Sequence, residues 1–257
     1  MPDANRPGPI RLIVGLGNPG KDYERTRHNA GFWLVERFAV RSGVALRKDG
    51  KYQALVGRMG AAGNTQGAWL VLPQSFMNAS GRAVQMLAGF FKILPAEILV
   101  VHDELDFEPG TAKMKQGGGI AGHNGLKDIS QRLGSHDYWR LRLGIGHPGD
   151  KNAVADYVLK KPSAEDRAEI DEAIGRSIDI LPQCLSGDLQ GAMQKLHSVE
   201  KPKKEKPVEK ERPARKDKAV EKKAEAPRPE PKPEPMVQAK PEPEKKSLFG
   251  SLFGRKK

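Results

Sequence analysis

Residues 11–20 read Arg-Leu-Ile-Val-Gly-Leu-Gly-Asn-Pro-Gly, and residues 21–31 continue with Lys-Asp-Tyr-Glu-Arg-Thr-Arg-His-Asn-Ala-Gly. The first stretch begins as an apolar run typical of a buried β-strand, which glycines and a proline then break in a turn. The second stretch is crowded with side chains that donate, accept or carry protons. Loops over the end of a rigid strand often hold binding and catalytic groups, so a functional site is predicted here.

The same residues fit the Gly-x-Gly-x-x-Gly pattern of dinucleotide-binding folds. Those folds need an amphipathic helix directly after the glycines, because its N-terminus holds the pyrophosphate. Residues 21–28 have no apolar residues at helical spacing, and a helical pattern begins only at Phe32. Residues 23–29 are therefore predicted to form an exposed loop, and a nucleotide-dependent oxidoreductase is the more distant alternative.

Four apolar runs are predicted to be largely buried strands, at residues 11–14, 69–72, 98–101 and 139–145. Helical patterns lie between these runs, and two further helices are predicted after Ser163 and Asp188. Strands that alternate with helices are typical of an α/β layer fold. We expect one domain with a mixed, mostly parallel twisted sheet flanked by helices.

The residue usage changes abruptly near residue 200. Residues 201–257 hold 19 Lys or Arg, 10 Asp or Glu and 10 of the 20 prolines, and they carry nine of the twelve net positive charges. Such a segment cannot bury enough apolar surface to offset its ordering entropy. We expect a flexible N-terminus over 1–10, a catalytic domain over 11–198, and a disordered Lys/Glu/Pro-rich tail over 199–257 that ends in a repeated Ser-Leu-Phe-Gly and three cations.

The tail has two interpretations. It is either an inert solubilising segment or a tether for RNA, the ribosome or an acidic membrane surface, because cations attract phosphate and its phenylalanines can stack or insert. The single cysteine, Cys184, excludes an internal disulfide framework, and the N-terminus lacks the apolar core of a secretion signal. We therefore expect a cytoplasmic protein.

Polar residues follow three of the predicted strands, where ligands bind in open α/β sheets. They are Asn18 and His28, then Phe76, Met77 and Asn78, then the run His-Asp-Glu-Leu-Asp at 102–106. A His28 imidazole supported by the Asp103 carboxylate can take a proton from water, while amides such as Asn18, Asn78 and Asn124 orient the water or donate to an oxyanion. Since Gly-x-Ser-x-Gly is absent, direct attack by water is favoured over a serine nucleophile.

Three alternatives stay open at this point. A histidine in a loop, such as His28, is more often a surface or hydrogen-bonding residue than a catalyst. The acidic run at 102–106 is a candidate metal site, but its spacing matches no standard motif, so neither a metal nor another cofactor is predicted. An RNA-binding module without turnover would keep RNA affinity that does not depend on His28.

Alternating cations mark two further segments. Lys113 and Lys115 share one face of a predicted strand, while Ala112 and Met114 face the core. Arginines at 140 and 142 alternate with apolar residues in the same way. These cations favour phosphate contacts, with a solvated sheet face as the alternative, and the glycine-rich loop at 117–125 is suited to closing over a bulky ligand.

Six blocks of this sequence resemble the bacterial peptidyl-tRNA hydrolases. They are Val-Gly-Leu-Gly-Asn-Pro-Gly at 14–20, Tyr23 with Thr-Arg-His-Asn-Ala-Gly at 26–31, Ser-Phe-Met-Asn at 75–78, His-Asp-Glu-Leu-Asp at 102–106, Gly-His-Asn-Gly-Leu at 122–126 and Arg-Leu-Gly-Ile-Gly at 142–146. The resemblance spans residues 11 to about 198. It implies a monomeric, metal-independent α/β hydrolase that cleaves the ester joining a peptide to the 3'-terminal ribose of tRNA and so recycles tRNA from stalled translation.

The resemblance also implies roles by matched position. His28 is the proton acceptor, Asp103 stabilises its working form, and Asn18 distinguishes blocked from free amino groups. The remaining matched residues hold the substrate: Tyr23, Phe76, Met77, Asn78 and Asn124 at the 3' end and peptide, and Lys113, Lys115 and Arg142 at the tRNA phosphates. The chain departs from the family in having Ile120 and Ala121 where a histidine and a glycine are usual.

Overall fold

The computed structural model describes residues 8–60 and 67–198, so the predicted tail at 199–257 lies outside the described residues. The strands are β1 (Leu12–Gly15), β2 (Arg47–Asp49), β3 (Ala54–Arg58), β4 (Trp69–Pro73), β5 (Ile98–Glu104), β6 (Ala112–Gln116) and β7 (Trp139–Gly144). The α-helices are α1 (Ala30–Arg41), α2 (Gly81–Phe90), α3 (Asn124–Leu133), α4 (Val154–Val158), α5 (Ala164–Ser186) and α6 (Leu189–Ser198). None of the helices among these residues is long and apolar enough to cross a membrane.

The strands form one mixed sheet in the order β2-β3-β4-β1-β5-β7-β6. The four central strands β4, β1, β5 and β7 run parallel, and β2, β3 and β6 pair antiparallel at the two edges. The predicted α/β fold class is confirmed. The carboxyl ends of β1, β4 and β5 lie side by side, so the polar residues that follow these strands come to one edge of the sheet.

Alternate residues of each central strand enter two separate cores. In β1, Ile13 packs in the core that includes α1, α5 and α6, whereas Leu12 and Val14 pack in the core with α2 and α3. Both predicted caps are present, since the side chains of Ser163 and Asp188 accept hydrogen bonds from the backbone of α5 and α6. The sheet is therefore buried on both faces, which is why its central strands appear as continuous apolar runs.

Two parts of the N-terminal half differ from the sequence-based expectation. The hairpin of β2 and β3 was not predicted, because the Arg-Lys-Asp of β2 shows no apolar alternation. The predicted exposed loop at 23–29 is partly wrong, since Thr26, Arg27 and Asn29 are buried. Ile10, in the segment predicted to be flexible, is buried and donates a backbone hydrogen bond to Cys184.

Close backbone packing fixes the start of α1 against the sheet. A Cβ atom at Gly31 would lie 2.3 Å from the carbonyl oxygen of Val101 and 2.5 Å from the backbone nitrogen of Leu16. Only glycine allows this approach of α1 to β5 and to the residue after β1. The turn Arg27–Asn29 leads directly into α1, so this close packing also keeps the turn that contains His28 next to β5.

We predict that Gly31→Ala lowers the free energy of unfolding by about 2 kcal/mol or more, because the added methyl group meets backbone atoms that cannot move away. Gly175→Ala is the matched control. That glycine also lies inside a helix, but a Cβ there would meet no atom within 4 Å. Denaturant unfolding of both variants tests the prediction, and equal stabilities for the two would contradict it.

Candidate active site

His28 and Asp103 lie 75 residues apart in the sequence and are in direct contact. Nδ1 of His28 is 2.9 Å and 3.0 Å from the two carboxylate oxygens of Asp103. His28 occupies a 3-10 turn, Arg27–Asn29, just before α1, and Asp103 is the next-to-last residue of β5. Because an ionised carboxylate only accepts hydrogen bonds, Nδ1 of His28 is the donor and Nε2 keeps the lone pair of the neutral ring.

A second histidine, His123, shares the carboxylate of Asp103. Its Nε2 lies 3.1 Å from Oδ1 of Asp103, and its Nδ1 accepts hydrogen bonds from the backbone of Gly125 and Leu126 at the start of α3. His123 is thus both the N-cap of α3 and a donor to Asp103. No role was predicted for it; the only signal in the sequence is its place before the helical pattern, where a capping residue is expected.

The electrostatics of the pair follow from this geometry. Burial alone would raise the pKa of Asp103, but the charges of His28 and His123 and their hydrogen bonds hold it well below its usual value. Burial lowers the pKa of His28, whereas the charge and hydrogen bond of Asp103 raise it, and the net effect is a pKa above 6.5. Asp103 therefore stays ionised and stabilises the imidazolium form of His28.

His102 is buried beside this group and differs from it chemically. Its Nδ1 lies 2.7 Å from the carbonyl oxygen of Asp103, and burial, followed by the charge of His123, lowers its pKa to about 3. It is therefore neutral at physiological pH.

A cavity of about 480 Å³ opens beside His28 and Asp103. His123 and Asn124 border it on the α3 side, and α4 closes another side. The polar loop at the end of β5 and the loop at 117–123 complete its wall. The cavity thus brings together three of the predicted residues, namely His28, Asp103 and Asn124.

Asn18 lies next to this cavity rather than in its lining, and its orientation is fixed. Its side-chain oxygen accepts a 2.7 Å hydrogen bond from the backbone of Met77. Its backbone exchanges two hydrogen bonds of 2.8 and 2.9 Å with the side chain of Asn29, the residue after His28. Since the oxygen is engaged, the NH₂ group is the end that Asn18 can present to a bound molecule.

The predicted substrate contacts Tyr23, Phe76 and Met77 form a second group around Asn18. The rings of Tyr23 and Phe76 meet edge to face at 6.0 Å, and Phe76 is 60% exposed. Met77 is buried, and a Cβ at Gly125 would touch both its sulfur and the ring of His123. Met77 thus lies close to His123 at the start of α3. Asn78, in the same 3-10 turn as Met77, is exposed.

The loop at 117–123 carries the departure from the family sequence. Ile120 lines the cavity and is partly buried against the core under α2 and α3. Ala121 has a φ of +47°, in the left-handed region that glycine adopts without strain. The loop thus keeps a glycine-like backbone conformation with an alanine in it.

The predicted cations lie side by side on β6 and β7, where Lys113 pairs with Arg142 and Lys115 with Arg140. The interpretation of Arg140 as a surface cation is wrong. Its side chain is buried and donates to the carbonyl groups of Gly117 and Gly119. Arg142 is 18% exposed and lies 3.6 Å from a carboxylate oxygen of Glu104. Burial, followed by the charges of Arg140 and Arg142, lowers the pKa of Lys115.

The predicted acidic candidate for a metal site does not converge, because Glu104 turns to Arg142 and His102 is buried. His28, Asp103 and His123 instead bring their ligating atoms within 4.8 Å of one another. Their nitrogen–oxygen distances of 2.9 to 3.1 Å are those of hydrogen bonds. A metal ion held by these atoms at about 2.0–2.2 Å would have to replace those bonds.

Known proteins with similar sequences are peptidyl-tRNA hydrolases. The family model described as peptidyl-tRNA hydrolase matches residues 12–206. The peptidyl-tRNA hydrolase of Thiobacillus denitrificans is 56% identical over 190 residues, which cover 74% of this chain and 91% of that protein. The Neisseria gonorrhoeae protein of the same name is 54% identical over 189 residues, which cover 74% of this chain and 97% of its own length.

Solved structures give the same result. The crystal structure of peptidyl-tRNA hydrolase from Acinetobacter baumannii superimposes with a TM-score of 0.70 at 43% sequence identity, covering 73% of this chain and 94% of that one. Its Arg119Gln mutant gives a TM-score of 0.71 at 42% identity. The resemblance found in the sequence is confirmed: the chain belongs to the peptidyl-tRNA hydrolase family.

Proposed function

We propose that His28 is the general base with which this enzyme hydrolyses the ester between a peptide, or an N-blocked amino acid, and the 3'-terminal ribose of tRNA. The supporting observation is the 2.9 Å contact of its Nδ1 with Asp103, which leaves Nε2 as the basic atom of a ring that lines the cavity. Nε2 takes a proton from water while the water oxygen attacks the ester carbonyl. The imidazolium returns the proton to the ribose oxygen as the ester bond breaks, giving free tRNA and peptide.

Asp103 and the asparagines supply the remaining stabilisation. The carboxylate of Asp103 holds the ring of His28 in one tautomer and balances its charge after proton transfer. Asn124 borders the cavity and is exposed, so its amide can orient the water or donate to the developing oxyanion. Asn78, exposed in the neighbouring turn, is proposed to hold the substrate's 3' end.

Asn18 is proposed to select blocked amino groups. Its oxygen is occupied by Met77, so it presents a hydrogen-bond donor. An N-blocked substrate offers an amide carbonyl to that donor, whereas a free ammonium group offers only further donors. Tyr23, Phe76 and Met77 surround this point and would contact the nascent peptide and the terminal base.

The cations of β6 and β7 are proposed to face the tRNA. Lys113 and Lys115 are partly exposed on the alternating face, while Ala112 and Met114 are buried. Arg142 adds positive charge beside them, although Glu104, 3.6 Å from its guanidinium, partly neutralises that charge. We also propose, from the family resemblance, that the enzyme is monomeric and cytoplasmic and rescues tRNA from stalled translation.

We predict that His28→Ala lowers the rate of peptide release from N-acetyl-aminoacyl-tRNA by about 10²- to 10⁴-fold, the contribution of a positioned general base, and leaves tRNA binding nearly unchanged. Single-turnover kinetics with separate binding measurements test this. His136→Ala, which removes an exposed histidine, is the control. A His28→Ala enzyme with substantial turnover would refute the assignment of the base.

Asp103→Asn is predicted to lower the maximal rate by about 10²-fold or more, because one carboxylate oxygen becomes an NH₂ donor, which cannot accept a hydrogen bond from a histidine ring and so disturbs the tautomer and orientation of His28. Asp103 raises the pKa of His28 against burial, so without the charge that pKa falls. The acid limb of the pH–rate profile, where activity rises as His28 deprotonates, then moves to lower pH. Asp106→Asn, another carboxylate at the cavity, is the control; an unshifted limb in Asp103→Asn would count against the pairing.

Replacing Lys113 and Lys115 together with alanine should weaken tRNA binding and reduce the slope of log K against log salt by about one unit for each lost phosphate contact. The double variant Arg47→Ala/Lys48→Ala removes two exposed cations from the opposite edge of the sheet and serves as control. If both double variants keep the slope of the unmodified enzyme, β6 does not face the phosphates.

The tail at 199–257 lies outside the described residues, and its tethering role stays a proposal. Truncation after residue 200 should leave hydrolysis of N-acetyl-aminoacyl-tRNA unchanged and reduce co-sedimentation with ribosomes or with acidic vesicles, because the removed segment carries most of the net charge. Co-sedimentation equal to that of the full chain in both assays would leave the tail as a solubilising segment.

A further inference from the structure

We infer that Arg27 is a positioning residue for the reaction. Its buried guanidinium joins two segments: the turn that contains His28, and the end of α4, the helix that closes one side of the cavity. The inference rests on the proposed role of His28 as general base. It adds a residue that touches neither the substrate nor the reacting atoms.

The contacts of Arg27 converge on the segment after α4. Its Nη1 lies 2.9 Å from the carbonyl oxygen of Lys161, 3.3 Å from that of Lys160 and 3.5 Å from that of Tyr157. Its Nη2 lies 3.3 Å from a carboxylate oxygen of Asp166, and its Cζ lies 4.1 Å above the ring of Tyr157. The backbone nitrogen of Arg27 also donates to Lys160.

Burial separates Arg27 from the cations proposed to bind tRNA. Its side chain is only 9% exposed, and both of its terminal nitrogens are engaged with protein acceptors. Its Nε has no partner among the described residues but is itself buried, so a phosphate group in solvent cannot reach this guanidinium without disrupting contacts that a buried charge requires. Its function therefore lies inside the protein.

The segment that Arg27 holds is short and adjoins the reaction. α4 has five residues, of which Val154, Ala155 and Val158 line the cavity. The last carbonyl groups of a helix have no partners within the helix, and a positive charge there is favourable. Arg27 places its charge there: of the carbonyl groups it contacts, that of Tyr157 belongs to α4 and those of Lys160 and Lys161 lie just after it, so one side chain joins the end of α4 to the turn of His28.

The consequence concerns the 2.9 Å contact of His28 with Asp103. Arg27 directly precedes His28 in the same 3-10 turn, so release of its side chain frees that turn on the side away from α1. A displacement of about 1 Å in a catalytic group can cost about 10²-fold in rate. Loss of Arg27 should therefore appear in the chemical step rather than in substrate binding.

The chain provides a matched control in Arg11. Its guanidinium also contacts the carbonyl groups at the end of a helix, those of Phe91 and Lys92 after α2, and pairs with Glu97 at 3.3 Å. Arg11 precedes β1, at the end of that strand opposite the site. Arg11→Gln thus removes the same kind of contacts without touching the turn of His28.

The experiment compares Arg27→Gln, Arg27→Lys and Arg11→Gln by melting temperature, by kcat and KM with N-acetyl-aminoacyl-tRNA, and by NMR titration of His28. Arg27→Gln should lower kcat about 10- to 100-fold with KM within about twofold, and His28 should titrate at lower pH as its contact with Asp103 loosens. Arg27→Lys keeps the charge but has fewer donors, so its kcat should be intermediate. Arg11→Gln should lower the melting temperature and leave kcat and the His28 titration unchanged.

An Arg27→Gln enzyme with unchanged kcat and an unchanged His28 titration would overturn the inference. If that variant does not fold, Arg27→Lys and Asp166→Asn decide the question, since each weakens part of the same contacts and must lower kcat. His28→Ala, assayed in parallel, keeps the two proposals distinct. Turnover by His28→Ala defeats the proposed base, whereas an inactive His28→Ala beside a fully active Arg27→Gln defeats only the role of Arg27.

Discussion

The buried carboxylate of Asp103 holds the site together. Burial of a charge this deep in the protein costs free energy unless hydrogen-bonded partners surround it. Here the partners are two imidazoles, which belong to different elements of the fold. His28 comes from the turn before α1, and His123 from the start of α3. β5 carries the carboxylate between them. The contacts that stabilise the charge are therefore the same contacts that bring three distant segments to one cavity.

The two histidines are bound to one carboxylate through opposite nitrogens, and this gives them different chemistry. His123 donates through Nε2 because its Nδ1 is occupied by the backbone of α3. His28 donates through Nδ1, which leaves Nε2 as a basic atom. Both nitrogens of His123 are therefore engaged within the protein, whereas the imidazolium form of His28 is stabilised by the charge of Asp103, which outweighs the effect of burial and leaves its pKa raised. The structure thus supports one base and one anchor.

The sequence predicts those parts of the molecule that local patterns determine. Central strands buried on both faces appear as apolar runs, and their ends locate Asn18, Met77 and Asp103 along one edge of the sheet. Alternation predicts correctly that Lys113 and Lys115 share a face while Met114 is buried. The pairing of His28 with Asp103 follows from the topology once the order of the strands is known.

Contacts chosen by tertiary geometry are not predictable in this way. Arg140 carries the same charge as Arg142 and the same spacing, yet it is buried because the loop at 117–119 folds two carbonyl groups over it. Arg27 is buried for a similar reason, because the end of α4 lies above the turn of His28. The link between His123 and Asp103 depends on where the start of α3 lies in space relative to β5, and no local sequence pattern specifies that position.

Asp103 sets opposite tautomers on its two histidines, and the function of the site depends on this difference. Nitrogen-15 NMR of the imidazole side chains, recorded above the pKa of His28, measures this directly. The geometry predicts that the neutral ring of His28 carries its proton on Nδ1 and that the ring of His123 carries it on Nε2. A neutral His28 protonated on Nε2 would have no lone pair facing away from Asp103, and that result would contradict the account.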